Sequence, residues 1–545
     1  MYRNRVITVK RHLQATLALA ALGAALLAGC SSSSGGSSAS AGTTQGNASQ
    51  TISDLQVGSA AVSTLNYDDS NIGYSSGLGN LVLEPLLVET KNEKIEPWLA
   101  QSWKQVNPTT YVYNLRHGVK FSDGDVMTAT DVVFSWDYYR EQGSDNAYNF
   151  PTTLKSITAT GPYTVTVTLS KPDAAWAVVP TGAMLGIFEK KFYEEHKSTF
   201  GQPGTGVMGT GPWSITSFDP TTGAQLTANP YYWGGTVRIK QITWTFYANE
   251  TSEALAFRAG SVNLAFPTEN QSFASTAGTT LTSAPGSIME GDFEMNTLAK
   301  PWNNIYVRKA VAYALNKPGL IAANGGYATP VNTLITPAML EGLGTPAQVT
   351  AVLNSLPAYP YNLAKAKQEM ALSPYPHGVN VTLAVDNTPS FINVSQAIVS
   401  QLAQIGIHAT LDVEQSAAWT TQITSADRAS IPAQYVTNGA DSLDPGEGFN
   451  FAIGSANATA GNWNSTNWSN PTVDNLIAEG FTTTNSTARL NVYKQLLDQF
   501  AQNVPFVPVF LIDGTVALSS QYTWPSFDSF YLQDGPWALG VEAKN

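Results

Sequence analysis

The sequence predicts an α/β protein, because strand and helix patterns alternate along the chain. Residues 379–387, "VNVTLAVDN", alternate apolar and polar positions as a half-buried strand does. Residues 391–406, "FINVSQAIVSQLAQIG", place apolar residues at helical spacing and end at Gly406, a residue suited to a left-handed C-terminal cap. Residues 407–413, "IHATLDV", predict the next strand. This strand–helix–strand order is typical of a parallel α/β unit.

Three further stretches support the same class. "YTVTVTLS" (163–170) alternates cleanly and predicts a strand. Thr128 precedes Asp131 by three residues, a pair typical of a helix N-terminus with a capping box. "SGLGNLVLEPLLVET" (76–90) has apolar residues at intervals of four, which predicts a helix.

The N-terminus predicts export. Four basic residues precede an apolar run, 13–29, that ends in small residues, the pattern of a signal peptide. Leu27-Ala28-Gly29-Cys30 resembles the lipobox of bacterial lipoproteins, in which the cysteine is lipid-modified and becomes the first residue. We therefore expect a lipoprotein signal peptide over 1–29 and a Ser/Gly-rich flexible tether over 30–52, with Cys30 as a membrane anchor.

Composition excludes several functions. Cleavage before Cys30 removes four basic and no acidic residues, taking the formal net charge from −12 to −16, which disfavours nucleic acid as a partner. Cys30 is the single cysteine, so neither a disulfide nor a thiolate metal site is available within the chain. The four histidines beyond the signal peptide are scattered along the sequence, and we predict no metal site and no cofactor.

Eight stretches together carry a family resemblance. They are "LVLEPLL" (81–87), "EPWLAQSW" (96–103), "YNLRHGVKFSDGDVMTATDVVFSW" (113–136), "GTGPW" (209–213), "NPYYWGG" (229–235), "YVRKAVAYALNK" (306–317), "QIGI" (404–407) and "VPFVPVF" (504–510). In this order they resemble the extracytoplasmic solute-binding proteins of ABC importers (family 5), which include dipeptide-, oligopeptide- and nickel-binding proteins.

The resemblance implies a bilobal, periplasmic-binding-protein-like α/β fold with three domains, mixed sheets and a hinge between the lobes. It places domain I of lobe 1 at 53–84, 208–297 and 515–545, domain II of lobe 1 at 85–207, and domain III, which is lobe 2, at 298–514.

The implied function is that of a binding protein rather than an enzyme. A monomer, held on the outer face of the cytoplasmic membrane through lipid on Cys30, would capture peptides between its lobes. It would deliver them to the transmembrane permease subunits of an importer driven by cytoplasmic ATPase subunits.

The resemblance also implies ligand-binding residues. Asp441, in Ala440-Asp441-Ser442-Leu443-Asp444-Pro445, matches an aspartate that pairs with the ligand α-ammonium in peptide-binding relatives, and a buried cation needs such a partner. Thr437 and Gly439 share a face with Asp441 by the period of a strand. The alternative is a loop in which Asp441 or Asp444 caps a turn.

Three other positions complete the predicted site. Trp419 matches a tryptophan that lines the family's side-chain pocket, with ordinary packing as the alternative. Asn71 and Tyr74 follow the first strand, where the other lobe of relatives touches ligand.

Two rival functions stay open. An oligosaccharide could replace the peptide in the same fold, since "GNWNSTNW" (461–468) offers rings on which sugars stack. "GYSSG" (73–77) matches the G-x-S-x-G pattern of serine hydrolases, but it lacks a preceding strand in an established sheet.

Overall fold

The computed structural model describes residues 46–47, 50–67, 77–90, 94–141, 144, 146–274, 276–286, 289–439, 444–529, 531–532 and 535–544. Within these ranges, no helix is both long enough and apolar enough to cross a membrane.

Strands and helices alternate along the described chain. The strands are β1 Gly46–Asn47, β2 Ile52–Ala60, β3 Leu87–Glu89, β4 Ile95–Pro97, β5 Ala100–Asn107, β6 Thr110–Leu115, β7 Leu154–Gly161, β8 Thr164–Leu169, β9 Trp213–Asp219, β10 Gly223–Ala228, β11 Ile239–Tyr247, β12 Leu264–Ala265, β13 Thr279–Ala284, β14 Met289–Glu294, β15 Ala328–Pro330, β16 Val379–Asp386, β17 Ile407–Glu414, β18 Ala433–Gly439, β19 Phe506–Ile512, β20 Gly514–Ser519, β21 Tyr522–Thr523 and β22 Glu542–Lys544. The helices are α1 Ala129–Tyr139, α2 Lys190–His196, α3 Glu250–Arg258, α4 Asn270–Ala274, α5 Ile305–Ala314, α6 Lys317–Ala323, α7 Pro337–Glu341, α8 Pro346–Asn354, α9 Leu363–Leu372, α10 Pro389–Ala403, α11 Ser416–Ile423, α12 Pro445–Ile453, α13 Pro471–Thr482 and α14 Ser486–Asn503.

Two of the sheets share one hydrophobic core. A seven-stranded mixed sheet has the order β13-β20-β12-β2-β11-β10-β9, and a four-stranded antiparallel sheet has the order β5-β6-β8-β7. Buried indole rings fill the space between elements of both, among them Trp136, Trp176, Trp213 and Trp244. The predicted capping box of α1 is confirmed, since the Thr128 backbone N–H donates to Asp131 Oδ2 over 2.9 Å.

A six-stranded sheet, β15-β19-β14-β18-β16-β17, forms a second core. Strands β16 and β17 are parallel, and α10 connects them, which confirms the predicted α/β unit. Val394, Ile398 and Leu402 of α10 are fully buried in that core. Gly406 has φ of +83°, so the predicted left-handed residue after the helix is also confirmed.

Helices α7, α8, α12, α13 and α14 enclose a third core, which reaches the six-stranded sheet through Phe506 of β19. The rings of Phe500 and Phe506 meet at 4.8 Å between centroids. These helices therefore cover one face of the sheet, while α5, α9 and α10 contribute to the core that contains Phe293 and Tyr435.

The chain passes between the seven-stranded and six-stranded sheets at two neighbouring points, after β13 and after β19. The Gly286 backbone N–H donates to Asp513 Oδ1 over 3.1 Å, which joins the two crossings. A Cβ at Gly286 would lie 2.1 Å from the carbonyl oxygen of Ile512, so the two backbones approach closely.

The helix predicted for residues 76–90 differs from the structure. Where the sequence predicts a helix over 76–90, residues 77–90 contain a short 3₁₀ helix, Gly79–Leu81, and strand β3, so that prediction is wrong. The predicted third domain begins at 298, whereas the chain already enters the six-stranded sheet at Met289. The division into domains stays a prediction.

Candidate ligand-binding site

Strand β18 carries the predicted site and is incompletely paired. Its antiparallel register with β14 extends from Gln434 to Gly439. On its other side, parallel β16 pairs only with Ala433 and Gln434. Among the described residues, no strand pairs with that side of β18 from Tyr435 to Gly439. This edge can accept another extended chain.

Two of the predicted residues lie on this segment. Thr437 is opposite Gly291 of β14, and Gly439 is opposite Met289, so both sit on the odd-numbered face of β18. Both are half-buried.

The remaining predictions divide in two. Asp441, Asn71, Tyr74 and Cys30 lie outside the described residues. Trp419 lies on α11, is only 8% exposed and packs edge-on against Phe391 with 5.8 Å between ring centroids. Its indole N–H is buried and has no hydrogen-bond partner in the described part of the chain. The ring therefore packs in a small hydrophobic cluster with Ala384, Ile423 and Val436, and the role predicted for it in binding stays a prediction.

Three carboxylates on β14, Glu290, Asp292 and Glu294, form an acidic row that the sequence reasoning did not identify. They alternate along the strand and so share one face, and they are 5%, 1% and 4% exposed, respectively. The pattern Glu-x-Asp-x-Glu is visible in "MEGDFEMN" (289–296) and could have signalled the row, once a strand had been assigned there.

Within the described ranges, hydrogen-bond donors reach the acidic row from the Glu294 end only. Glu294 accepts hydrogen bonds from Ser465 Oγ and, over 3.2 Å, from Asn438 Nδ2. Asp292 Oδ2 accepts from Asn438 Nδ2 over 3.3 Å. Glu290 Oε1 and Asp292 Oδ1 are buried without a partner among the described residues. Burial raises the pKa of both carboxyls well above the ordinary range, and the carboxylate repulsion within the row adds to this effect.

A cavity of about 30 Å³ lies against the unsatisfied end of the row. Glu290 and Asp292 line it together with Asn438 and Gly439 of β18. The remaining wall is mostly apolar and comes from α7, α12 and the segment before α7; it consists of Leu334, Ile335, Thr336, Met339, Gly448, Phe451 and Ala452. The cavity therefore adjoins the strand segment predicted to hold ligand.

Two larger cavities lie between the helices α12–α14 and the part of the chain built on the four-stranded sheet. One, of about 410 Å³, has Asp173 and Lys171 on one side and Asn450 and Phe481 on the other. The second, of about 350 Å³, includes Tyr111 and Arg489 in its wall.

Two hydrogen bonds join parts of the chain that are built on different sheets. The Ala174 backbone N–H donates to the Phe481 carbonyl over 2.7 Å. The Ser390 backbone N–H, at the start of α10, donates to Glu269 Oε1 over 3.2 Å. Both contacts join the six-stranded-sheet part of the chain to the part that contains the seven- and four-stranded sheets.

One group of acidic residues has spacing compatible with a metal ion. Asp123, Asp125 and Glu189 can each offer an oxygen atom within 4.8 Å of the others. Lys191 Nζ already pairs with Asp125 Oδ2 at 2.7 Å, and both aspartates are exposed. Nothing else at this surface points to a ligand, so we assign no metal there.

Comparison with known proteins gives consistent matches along most of the chain. A family model described as bacterial extracellular solute-binding proteins, family 5 middle, matches residues 94–460. The glutathione-binding protein GsiB of Shigella boydii serotype 4 is 27% identical over 473 residues, covering 82% of this chain and 86% of the relative.

Solved structures show the same fold. The ABC transporter substrate-binding protein CtaP of Listeria monocytogenes has a TM-score of 0.77 at 19% identity, covering 91% of this chain and 100% of that one. The periplasmic binding protein DppA of Helicobacter pylori, in complex with the peptide STSA, has a TM-score of 0.71 at 20% identity, covering 91% and 99%. The predicted fold class, mixed α/β with several sheets, is confirmed.

Proposed function

Because the chain belongs to the bacterial extracellular solute-binding proteins of family 5, a family of binding proteins rather than enzymes, we propose that it captures peptides in an interlobe cleft for an ABC importer. Family membership makes it the substrate-binding component of an importer for peptides or related ligands, and members of the family are extracytoplasmic. The serine-hydrolase alternative at 73–77 is thereby excluded. Peptide capture, delivery to a permease and the lipid anchor are the parts that we propose.

The unpaired edge of β18 is the observation that carries the peptide proposal. An extended peptide adds to such an edge through main-chain hydrogen bonds, and these do not depend on the peptide's side chains. Gly439 at the end of the edge leaves room for another backbone to approach. A transporter substrate of variable sequence needs this kind of recognition.

Asp441 follows the unpaired edge of β18, and we propose that it neutralises the peptide α-ammonium. Asp441→Asn preserves size but removes the charge, so peptide affinity should fall by about 2–5 kcal/mol, the usual effect of breaking a buried charge pair. Isothermal titration of the wild type and the variant with one identified peptide measures the loss.

N-acetylation of the same peptide removes the positive charge of its α-ammonium, the group proposed to pair with Asp441. The wild type should bind acetylated peptide weakly, and the variant should discriminate little between the two forms, as a double-mutant cycle requires of a direct contact. If folded Asp441→Asn retains full peptide affinity, Asp441 is a turn residue and the assignment fails.

The oligosaccharide alternative has one observation in its favour. Trp463 is 41% exposed and lies roughly parallel to Phe451, at 6.5 Å between centroids, whereas Trp468 of the same stretch is buried. An exposed indole beside a cavity wall can stack on a sugar ring. Titration with a glycan pool and a peptide pool separates the two ligands.

The proposed lipid anchor makes a separate prediction. Cys30→Ser removes the thiol that would carry lipid, so the protein should move from the membrane fraction to the soluble fraction, while its ligand affinity stays unchanged. Fractionation after a high-salt wash measures this, because salt removes proteins that are held by charge alone. A variant that remains in the washed membranes would contradict the anchor.

A further inference from the structure

The acidic row of β14 has no ion-pair partner within the part of the chain that the structure describes, although Lys317 and Arg428 lie near enough to act on it electrostatically. None of its three carboxylates has a cationic nitrogen within 4.0 Å there. The two nearby cations are engaged elsewhere. Lys317 Nζ donates to Asn332 Oδ1 over 2.8 Å and to the Val331 carbonyl. Arg428 Nε donates to Asn467 Oδ1 over 2.7 Å.

This arrangement is energetically unfavourable by itself. A buried carboxylate without hydrogen bonds or an ion pair is costly, because the lost hydration is not replaced. Glu290 Oε1 and Asp292 Oδ1 accept no hydrogen bond from the described residues, although Asp292 Oδ2 accepts one from Asn438, and both residues line the 30 Å³ cavity. Two unpartnered acceptor oxygens, carried by residues that line a cavity under apolar side chains, indicate a donor supplied from outside.

We propose that Glu290 and Asp292 form a subsite for the terminal primary ammonium of a ligand side chain. This inference rests on the proposed function and names its substrate class, peptides that carry a lysine-like residue. An ammonium is compact and has three donors, which suits a small cavity with two unpartnered oxygens better than a planar guanidinium does.

The position of the cavity relative to β18 makes the subsite reachable. Asn438 and Gly439 line the cavity and belong to the unpaired segment on which an extended peptide would lie. The apolar side chains of Ile335, Met339 and Phe451 can pack against the methylene stem of the entering side chain, while its charged end meets the carboxylates.

The test uses alanine tetrapeptides with one variable position, which is moved along the peptide and occupied by lysine, arginine or norleucine. Norleucine has a similar stem without the charge. In isothermal titrations, the wild type should bind the lysine peptide at least about thirtyfold more tightly than the norleucine peptide at one position. The arginine peptide should show a smaller gain in affinity over the norleucine peptide than the lysine peptide does. Glu290→Gln with Asp292→Asn should abolish the preference for lysine over norleucine.

The matched control is Asp412→Asn, which makes the same change at an exposed position of β17 in the same sheet. It should retain the lysine preference. Without ligand, the Glu290→Gln/Asp292→Asn protein should have a higher thermal midpoint than the wild type, because two neighbouring buried carboxyl groups without an ion-pair partner are replaced by neutral amides. A structural role for the two carboxylates predicts the opposite shift, which would overturn the proposal.

A probe that is independent of peptide recognition separates this inference from the proposed function. Butylammonium should raise the thermal midpoint of the wild type but not that of the double variant, even if no peptide binds. Peptide binding without any lysine preference would overturn the subsite and leave the proposed function intact. Stabilisation by calcium or sodium chloride that the double variant loses would also overturn it, since the site would then take an inorganic cation.

Discussion

Arg489→Ala is expected to lower the free energy of unfolding by about 3–5 kcal/mol, the usual effect of removing one partner of a buried ion pair. The Arg489 Nη2 donates to both Asp444 carboxylate oxygens, over 2.9 and 2.7 Å. The two side chains are only 7% and 2% exposed. Without the guanidinium, the Asp444 charge would remain buried, and the Gly480 carbonyl would lose the Nε donor that now lies at 2.8 Å.

Asp444 has a second contact that the substitution leaves in place. Its Oδ1 accepts from the Gly446 backbone N–H over 2.8 Å and caps α12. The turn-capping role weighed for Asp444 from sequence is therefore confirmed, and the ion pair adds to it. This pair fixes α12 to α14.

Urea unfolding of the purified protein measures the effect, and Arg140→Ala is the matched control. Arg140 pairs with Asp137 at 2.8 Å, but the two side chains are 33% and 44% exposed. Exposed pairs of this kind contribute about 0–1 kcal/mol, so the control should change little. If Arg489→Ala costs no more than Arg140→Ala, the buried pair does not stabilise the fold as argued.

The sequence correctly predicted those helices and strands in which the spacing of apolar residues matches the side that is buried. The α10 stripe predicted a helix because one face packs on a sheet and the other meets solvent, and Gly406 marked its end. The strand–helix–strand order of β16, α10 and β17 predicted a parallel pair, which the register confirms. In these elements the spacing of apolar residues follows directly from which side is buried.

The helix prediction for residues 76–90 is wrong because, in this stretch, the apolar spacing does not reflect one buried face. All of residues 77–89 are buried, so apolar residues at intervals of four do not mark one face of a helix. Pro85 lacks a backbone N–H and disfavours helix for the residue before it, and the chain becomes strand β3 instead. Periodicity cannot distinguish helix from strand where no side is exposed.

The candidate site was predictable only where it lies next to a family landmark. Thr437 and Gly439 followed from the Asp441 motif and the period of a strand. The acidic row lies on the neighbouring strand, far away in sequence, and only the register Glu290–Asn438 and Glu294–Gln434 brings it to β18. Sheet register between distant strands depends on the packing of the whole domain, which a single sequence does not reveal.

Four of the eight landmarks meet at Glu84, a fully buried carboxylate from "LVLEPLL". It accepts hydrogen bonds from Trp98 Nε1 over 2.8 Å, from Trp233 Nε1 over 3.0 Å and from Thr210 Oγ1 over 2.6 Å. The three donors come from "EPWLAQSW", "NPYYWGG" and "GTGPW". These motifs are therefore held together by one acceptor, which explains their shared presence as a structural requirement rather than as ligand contact.

Glu84→Ala should accordingly lower the free energy of unfolding by about 3–5 kcal/mol, since each unpaired buried donor costs about 1–3 kcal/mol and partial relaxation reduces the sum. Glu84→Gln should cost less than Glu84→Ala, because its amide oxygen still accepts a hydrogen bond. Some loss should remain, because its NH₂ group faces donors. Glu96→Ala, at an exposed position of the adjacent β4, should change stability by less than about 0.5 kcal/mol. Urea unfolding measures all three variants.

The pH dependence of this loss tests the same network. Burial raises the pKa of the Glu84 carboxyl, and the hydrogen bonds from Thr210, Trp233 and Trp98 partly oppose that rise. A raised pKa in the folded protein means that the contribution of Glu84 is fully present below its ordinary pKa and is lost as the pH rises through the raised value. The difference between wild type and Glu84→Ala should therefore be larger at pH 5 than at pH 8. A difference that grows with pH would mean that the three donors outweigh burial and hold the carboxylate ionised.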